Sequence, residues 1–247
     1  MIYGIIGYGV VGKATHDSIL KLNSVLIHDI AFNTSLNDLK SCNILFFCTP
    51  TSSINDLDQL LIDIKYIKFI NPNATIIIRS TLPIGYCSKI VSEINDNILY
   101  IPEFLRERQW KIDCKNRPLI VGINSPDVPL FLAEDQCIFC SYEEAEIIKM
   151  FSNNISALRI VFANHFYDIS KKTNADYNKI LECYKKIEHT DQQYLDVNDE
   201  LRAFGGKCLP KDLDLLINSM QQLDISQTLF SAIKTDNKKW PVTIKKF

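Results

Sequence analysis

Residues 204–212, with the sequence FGGKCLPKD, contain the groups of this chain best suited to covalent chemistry. Cys208 follows a Gly-Gly pair and precedes Pro210, a residue that suits the first turn of a helix. Because the unpaired N–H groups at a helix N-terminus favour negative charge, a cysteine placed there is favoured as its nucleophilic thiolate. Asp212 follows one helical turn later. The pattern predicts an activated cysteine with a carboxylate one turn away.

A second pattern, near the start of the chain, predicts a dinucleotide site. It is a GxGxxG motif made by Gly7, Tyr8, Gly9, Val10, Val11 and Gly12. The motif follows an apolar strand and opens a helix, so its glycines allow a tight turn, an approach of the pyrophosphate and close helix packing. Asp29 ends the next predicted strand, 17 residues after the motif. Its carboxylate can bind ribose hydroxyls and repel a 2′-phosphate, which favours NAD over NADP.

Polar residues also follow the third and fourth predicted strands. Thr49 and Pro50 come after the third strand, and Ser80 and Thr81 come after the fourth. Ligands of open α/β sheets collect at the carboxyl ends of strands, so these residues are candidates for the same site. The alternative is ordinary turn chemistry, since Ser, Thr and Pro favour turns in any case.

The elements that must position these groups change character near residue 140. In the first half, short apolar runs alternate with helical stretches, which predicts a doubly wound parallel α/β sheet. The predicted strands are residues 3–6, 25–28, 43–48, 75–79, 99–101 and 119–123. The predicted helices between them are residues 11–21, 55–69 and 86–95.

The second half is predicted to be all-helical. Ser141 and Glu144 form a capping box, and neither Gly nor Pro occurs between there and Gly205. Apolar residues at helical spacing predict one very long helix, a second over residues 177–187 and a third after Pro210. The domains expected are therefore a Rossmann-type NAD-binding domain at residues 1–140, a helical domain at 141–237 and a tail at 238–247.

The overall composition fits a globular protein and excludes several classes. The net charge is -2, so nothing favours nucleic-acid binding, and no apolar stretch approaches the roughly 20 residues of a membrane span. No secretory signal is visible, so the eight cysteines are expected to be reduced in a cytoplasmic protein. The CxxC of Cys137 and Cys140 lacks a second pair of ligands at suitable spacing. No metal site is predicted, and buried apolar cysteines are favoured there.

Four segments together resemble the UDP-glucose/GDP-mannose dehydrogenases, the NAD-dependent enzymes that oxidise a sugar C6 alcohol to a carboxylate. They are the GxGxxG motif, residues 102–107 (PEFLRE), the pair Lys149 and Asn153, and residues 205–212. They occur in the family's order, and the similarity extends from residue 1 to about residue 237. The resemblance implies an NAD-binding Rossmann domain followed by a helical domain that dimerises.

The resemblance implies a role for each site residue. Two hydride transfers would use two NAD per product, and Cys208 would form a thiohemiacetal and then a thioester. Lys149 would stabilise the oxyanion, Asn153 would hold the same oxygen and Asp212 would orient or activate water. Glu103 would be the base in hydrolysis. Further implied contacts to the cofactor, the ordered water or the substrate are Thr81, Phe104, Leu105, Glu107 and Gly205.

Several of these residues also have a purely structural explanation that involves no catalysis. Glu103 and Glu107 are spaced i, i+4, a common arrangement on a solvated helix face. Lys149 could be a surface lysine of an amphipathic helix, and Cys208 could be an inert buried thiol.

The chain also departs from the family pattern. A third domain, which binds the nucleotide of the sugar nucleotide, has no counterpart here, so a partner chain could supply it. Residues 198–203 stand where more glycine is expected, and Arg108 and Trp110 replace smaller residues. The alternatives to a minimal dehydrogenase are therefore an NAD-binding regulatory or partner subunit and a two-electron hydroxyacid-type dehydrogenase.

A homodimer is expected through the helix after Pro210. Its apolar stripe could equally pack within the chain. The residues of the stripe are Leu213, Leu216, Ile217, Met220 and Leu223.

Overall fold

The computed structural model describes residues 1–17, 24–104, 118–124, 132, 137–187, 194–206 and 208–242. The contacts of the chain divide it into two units, Met1–Lys149 and Met150–Phe247. Each unit is described separately below. None of the described helices is long and apolar enough to cross a membrane.

A seven-stranded sheet lies at the centre of the described part of the first unit. Its strands are β1 (Tyr3–Ile6), β2 (Val25–His28), β3 (Ile44–Phe47), β4 (Thr75–Ile78), β5 (Leu99–Tyr100), β6 (Leu119–Gly122) and β7 (Cys137–Cys140). The order across the sheet is β2-β1-β3-β4-β5-β6-β7, and every pair is parallel except β5 with β6, which is antiparallel. The predicted α/β class is confirmed, with one reversed strand pair and one additional strand.

The central strands β1 and β3 are buried on both faces, as continuous apolar strands predict, whereas the edge strands β2 and β7 are partly exposed. Alternate residues of β3 show this most simply: Leu45 and Phe47 pack in one apolar cluster, while Ile44 and Phe46 pack in another. All four side chains are less than 5% exposed. Parallel strands with both faces covered need apolar residues at every position, which is why β3 reads as an unbroken apolar run.

Three described helices connect these strands. They are α1 (Val10–Thr15), α2 (Ile54–Ile70) and α3 (Tyr86–Ile94). A capping box begins α2: the Ser53 hydroxyl accepts from the Asp56 N–H, and the Asp56 carboxylate accepts from the Ser53 N–H at 2.9 Å. Helices α2 and α3 match predicted ones to within one residue at each end. Helix α1 begins one residue before its predicted start, and residues 18–21 of that prediction lie outside the described residues.

Helix α4 (Tyr142–Thr173) is the long helix expected from the second half of the sequence. The predicted capping box begins it, because the Ser141 N–H donates to Glu144 Oε2 at 2.8 Å and the Glu144 N–H donates to Ser141 Oγ at 3.2 Å. The other described helices are α5 (Tyr177–Ile187), α6 (Leu209–Gln222) and α7 (Thr228–Asn237). The helical second half is therefore confirmed, with α7 as an unpredicted addition.

The second unit has its own apolar core. The buried residues at its centre are Ala157, Val161, Ala203, Phe204, Leu213, Ile233 and Trp240. Part of the predicted stripe on α6 belongs to this core, since Leu213 is 1% exposed and Ile217 packs against the cluster. Leu223, at the end of the stripe, is 55% exposed. Leu213 and Ile217 thus pack within the chain, which was one of the two interpretations of the stripe.

Candidate functional site

The turn between β1 and α1 needs glycine at two positions for steric reasons. Gly7 has a φ of +88°, and a Cβ there would lie 2.9 Å from the Cys48 backbone. At Gly12 a Cβ would lie 2.1 Å from the carbonyl oxygen of Gly7. The tight turn and the close approach of helix to strand, both predicted from the motif, therefore follow from the geometry of the chain itself.

Packing within the described residues does not require glycine at Gly9, the middle glycine of the motif. A Cβ at Gly9 would meet no atom of the described residues within 4 Å. Gly9 is the residue before the first turn of α1, and the side chain of Val10 is 39% exposed beside it. Open space above a backbone turn at a helix start is the arrangement that lets a pyrophosphate approach. These residues fit a dinucleotide.

Asp29, the residue after β2, accepts a hydrogen bond from the backbone of this turn. Its Oδ1 accepts a hydrogen bond from the Ala31 N–H at 2.9 Å, and its Oδ2 accepts one from the Tyr8 N–H at 2.6 Å. These two bonds lower the pKa of the Asp29 carboxyl, with a smaller contribution from the charge of His28. An ionised carboxylate therefore lies against the glycine turn, and each of its oxygens can accept further bonds from ribose hydroxyls.

The loops after β3 and β4 are joined by hydrogen bonds from two side chains, Thr51 and Ser80, of which Ser80 was a candidate from the sequence. The Thr51 hydroxyl donates to the carbonyl oxygen of Thr81, and the Ser80 hydroxyl donates to that of Thr49, both at 2.6 Å. Thr49 and Thr81 are half-buried and Pro50 is exposed. The structure thus brings the three predicted cofactor residues of these loops to one edge of the sheet.

The segment after β5 is held by Lys149 of α4. Lys149 Nζ donates to the carbonyl oxygen of Glu103 at 2.5 Å and lies 5.4 Å from the centroid of the Phe104 ring. Its side chain is only 5% exposed. The surface-lysine interpretation is therefore wrong, because a cation buried to this degree must be held by oxygen or ring partners.

Glu103 has a partner that the sequence did not reveal. Its carboxylate forms an ion pair with Arg79, which directly follows β4 and is 3% exposed. Oε1 of Glu103 also accepts from the Phe104 N–H at 2.9 Å. Its side chain is 14% exposed, so Glu103 does not lie on a solvated helix face. The sequence did contain a signal for Arg79, because it is a charged residue directly after the apolar run of residues 75–78.

Four residues discussed above lie outside the described residues. They are Leu105 and Glu107, predicted to contact substrate and cofactor, and Arg108 and Trp110, the bulky departures from the family pattern.

In the second unit, Cys208 lies immediately before the first residue of α6 and is exposed. Its carbonyl oxygen accepts a hydrogen bond from the Asp212 N–H at 2.8 Å, which closes the first turn of the helix. Pro210 lies in that first turn, as predicted. The interpretation of Cys208 as a buried thiol is therefore wrong, and the predicted helix N-terminus is where the cysteine lies.

The structure brings Asn153 and Asp212 together from α4 and α6. Asn153 Nδ2 donates to Asp212 Oδ2, and Lys211 Nζ lies 3.4 Å from Asp212 Oδ1. Asn154 Nδ2 is 3.4 Å from the Asp212 carbonyl oxygen. Asp212 is 1% exposed, so this carboxylate is fixed by amide and ammonium groups one turn from Cys208.

Comparison with known proteins identifies the family. A family model described as "UDP-glucose/GDP-mannose dehydrogenase family, central domain" matches residues 143–239. A UDP-glucose 6-dehydrogenase from Campylobacter jejuni is 32% identical over 206 residues, which are 77% of this chain and 51% of the relative. The chain belongs to the UDP-glucose/GDP-mannose dehydrogenase family. Enzymes of this family are NAD(P)-dependent nucleotide-sugar dehydrogenases.

Two further relatives agree with this family. A GDP-mannose 6-dehydrogenase from Pseudomonas putida is 29% identical over 184 residues, 66% of this chain and 41% of the relative. The structure of a UDP-glucose dehydrogenase from Pyrobaculum islandicum covers 96% of this chain with a TM-score of 0.82, at 19% identity, and 68% of that structure is matched. The chain spans about half the length of the UDP-glucose 6-dehydrogenases it matches.

One position predicted from the UDP-glucose/GDP-mannose dehydrogenase pattern has a packing reason of its own. A Cβ at Gly205 would lie 2.3 Å from Cγ1 of Val242, so the glycine lets the C-terminal segment approach. Gly206 has a φ of +76°, which favours glycine independently. Contact of Gly205 with substrate stays a prediction.

Proposed function

We propose that the chain carries out the NAD-dependent oxidation of a sugar-nucleotide C6 alcohol to the carboxylate, with two NAD consumed per product. The observation that carries the proposal is the exposed Cys208 at the start of α6, with the fixed pair Asn153 and Asp212 one turn away. A two-electron alcohol dehydrogenase has no use for a nucleophile. An exposed thiol at a helix N-terminus is what a thioester route requires.

In the proposed reaction, the substrate loses a hydride and a proton to give the aldehyde. The Cys208 thiolate then adds to the aldehyde carbon to give the anionic thiohemiacetal, whose alkoxide loses a second hydride to give the neutral thioester. Water cleaves the thioester, which releases the carboxylate and restores the thiol. Bound NAD would supply the acceptor for both hydrides, each accepted by a separate NAD.

The residues of the first unit support the cofactor half of this proposal. The turn at Gly7, Gly9 and Gly12 would hold the pyrophosphate, and the ionised Asp29 would bind the adenosine ribose and exclude a 2′-phosphate. We assign NAD rather than NADP on this carboxylate. Lys149 would stabilise the oxyanion, and Glu103 would accept the proton of the hydrolytic water.

A panel of nucleotide sugars tests the function. We expect UDP-glucose or a related nucleotide sugar to reduce NAD with two NADH formed per acid, measured by absorbance and product mass. One NADH per turnover would contradict the proposal and favour a hydroxyacid-type dehydrogenase. Binding of NAD without turnover on any member of the panel would instead favour a regulatory or partner subunit.

The glycine turn allows a matched pair of variants. Gly9→Ala places a methyl group in open space, so we expect less than about 1 kcal/mol loss in the free energy of unfolding. The same methyl group would obstruct the pyrophosphate and raise the Kd for NAD at least about tenfold. Gly12→Ala places its methyl group against the Gly7 carbonyl, so it should cost about 2–3 kcal/mol of stability. Chemical denaturation and NAD titration by calorimetry measure both.

An unchanged affinity for NAD in Gly9→Ala would contradict the role of Gly9 in cofactor binding. If Gly9→Ala leaves the Kd for NAD unchanged, the open space above this turn does not hold the pyrophosphate.

We also propose a homodimer, now on the exposed aromatic residues of α4 rather than on α6. Phe151, Phe162 and Phe166 are 69%, 55% and 45% exposed, and the rings of Phe162 and Phe166 lie 4.7 Å apart. Large apolar side chains that share a helix surface mark an interaction site. Sedimentation should give twice the 28.3 kDa chain mass, and a monomer at micromolar concentration would contradict this.

A further inference from the structure

The backbone that leads into Cys208 is held by two asparagines from different helices. Residues 202–206 are called the approach segment here, and only residue 207 separates them from the cysteine. Asn164 of α4 binds the start of the approach segment, and Asn237, the last residue of α7, binds its middle. Each asparagine uses both its amide oxygen and its amide nitrogen.

Asn164 fixes both the main chain and the side chain of Arg202. Its Nδ2 donates to the Arg202 carbonyl oxygen at 3.1 Å, and its Oδ1 accepts from Arg202 Nε at 2.6 Å. The same Nδ2 donates to the carbonyl oxygen of Ile160 at 2.8 Å. Asn164 is fully buried, so breaking these bonds would leave polar groups without water.

The guanidinium of Arg202 is enclosed by aromatic and acidic groups. Its central carbon lies 4.9 Å from the centroid of the Tyr167 ring and 5.7 Å from that of Trp240. It forms an ion pair with Asp168, whose other oxygen accepts from Trp240 Nε1 at 2.7 Å. The side chain is 12% exposed. A planar cation stacked on rings and paired with a carboxylate has one favourable orientation, which fixes this end of the approach segment.

Asn237 holds Phe204 by a reciprocal pair of bonds. Its Oδ1 accepts from the Phe204 N–H and its Nδ2 donates to the Phe204 carbonyl oxygen, both at 2.9 Å. The Phe204 side chain is 5% exposed within the core of the second unit. Val242 packs against Gly205 and pairs with Ala203 in a parallel bridge. The approach segment is therefore fastened at every residue from 202 to 205.

We propose that Asn164, Arg202 and Asn237 are positioning residues for Cys208, and that they hold the thiol at the N-terminus of α6. None of the three needs to touch the substrate. An unfastened chain of this length would sample many conformations, and only a fraction would place the thiol sulfur at the helix end. The kinetic part of the proposal rests on the proposed function, whereas the reactivity of the thiol does not.

Site-specific alkylation measures the reactivity of the Cys208 thiol without depending on turnover. The full chain and the variants Arg202→Met and Asn237→Ala are treated with iodoacetamide at pH 7, and peptide mass spectrometry follows Cys208 and Cys183 in the same sample. Cys183, an exposed cysteine of α5, is the internal reference. We expect the rate at Cys208 to fall at least about threefold relative to Cys183, the size of effect a helix N-terminus exerts.

The matched control is Lys234→Met. It breaks the exposed ion pair of Lys234 with Asp214 in the same unit and should leave the ratio of the two rates unchanged. If Arg202→Met or Asn237→Ala does not fold, Arg202→Lys retains the charge and is measured in the same way. A wild-type ratio in folded variants that have lost stability would overturn the proposal, because it assigns these residues a structural role alone.

The kinetic arm measures oxidation of the nucleotide sugar. We expect kcat of the variants to fall at least about tenfold, with KM for NAD unchanged, because the cofactor turn lies in the other unit. A changed alkylation ratio without any turnover in the wild type would support positioning and contradict the proposed function. Turnover by the wild type together with an unchanged alkylation ratio in the variants would support the proposed function and contradict the positioning role.

Discussion

Cys208→Ser is expected to abolish acid formation, with kcat at least about 10³-fold lower than in the wild type. A serine hydroxyl remains protonated at neutral pH, so it cannot add to the aldehyde as the thiolate does, and no thioester forms. Stability should change by less than about 0.5 kcal/mol, because Cys208 is exposed. NAD binding should be unaffected, since the cofactor residues lie in the first unit. Product mass spectrometry and NAD titration measure these effects.

Cys183→Ser is the matched control, since Cys183 is also an exposed cysteine at a helix of the second unit. It should retain wild-type acid formation. Full activity in Cys208→Ser, with one NADH per turnover, would falsify the thioester route and leave a two-electron reaction. An acyl adduct on Cys208, trapped during turnover, would support the route directly.

Most of the fold could be predicted because its elements are specified by local patterns. The buried strands are continuous apolar runs, so β1, β3 and β4 were located to within one residue. Strand β7 was not predicted, because its CxxC pattern was considered only as a possible metal site and, once that was rejected, as buried cysteines, without a strand being assigned. Helix α7 was missed for a different reason. The chain turns at Asp224 with a φ of +55°, without the Gly or Pro that usually marks such a break.

The site, like the fold, has local features that the sequence predicted and long-range contacts that it did not. The glycine turn and the helix start at Cys208 are local, so spacing alone located them. The contacts that hold the site are not local. Asn153 reaches Asp212 across 59 residues, and Asn237 reaches Phe204 across 33. No periodicity specifies such pairs, since they depend on how the helices pack.

Arg79→Met is expected to lower the free energy of unfolding by about 3 kcal/mol, because it leaves the carboxylate of Glu103 without its buried cation. Lys65→Met is the matched control in the same unit. It breaks the ion pair of Lys65 with Glu93, whose side chains are 45% and 44% exposed, and should cost less than about 1 kcal/mol. Urea denaturation of the two variants measures the difference.

The same variant should also change the pH dependence of the reaction. In the proposed mechanism Glu103 must be ionised to accept a proton from water, and the guanidinium of Arg79 favours the ionised form. Without that charge the ionised form of Glu103 is less favoured, so the acid limb of kcat against pH should move to higher pH. Arg79→Lys keeps the charge and should restore most of the profile. An Arg79→Met enzyme that is less stable but has an unshifted acid limb would show that the ion pair serves folding alone, and that Glu103 is not the base.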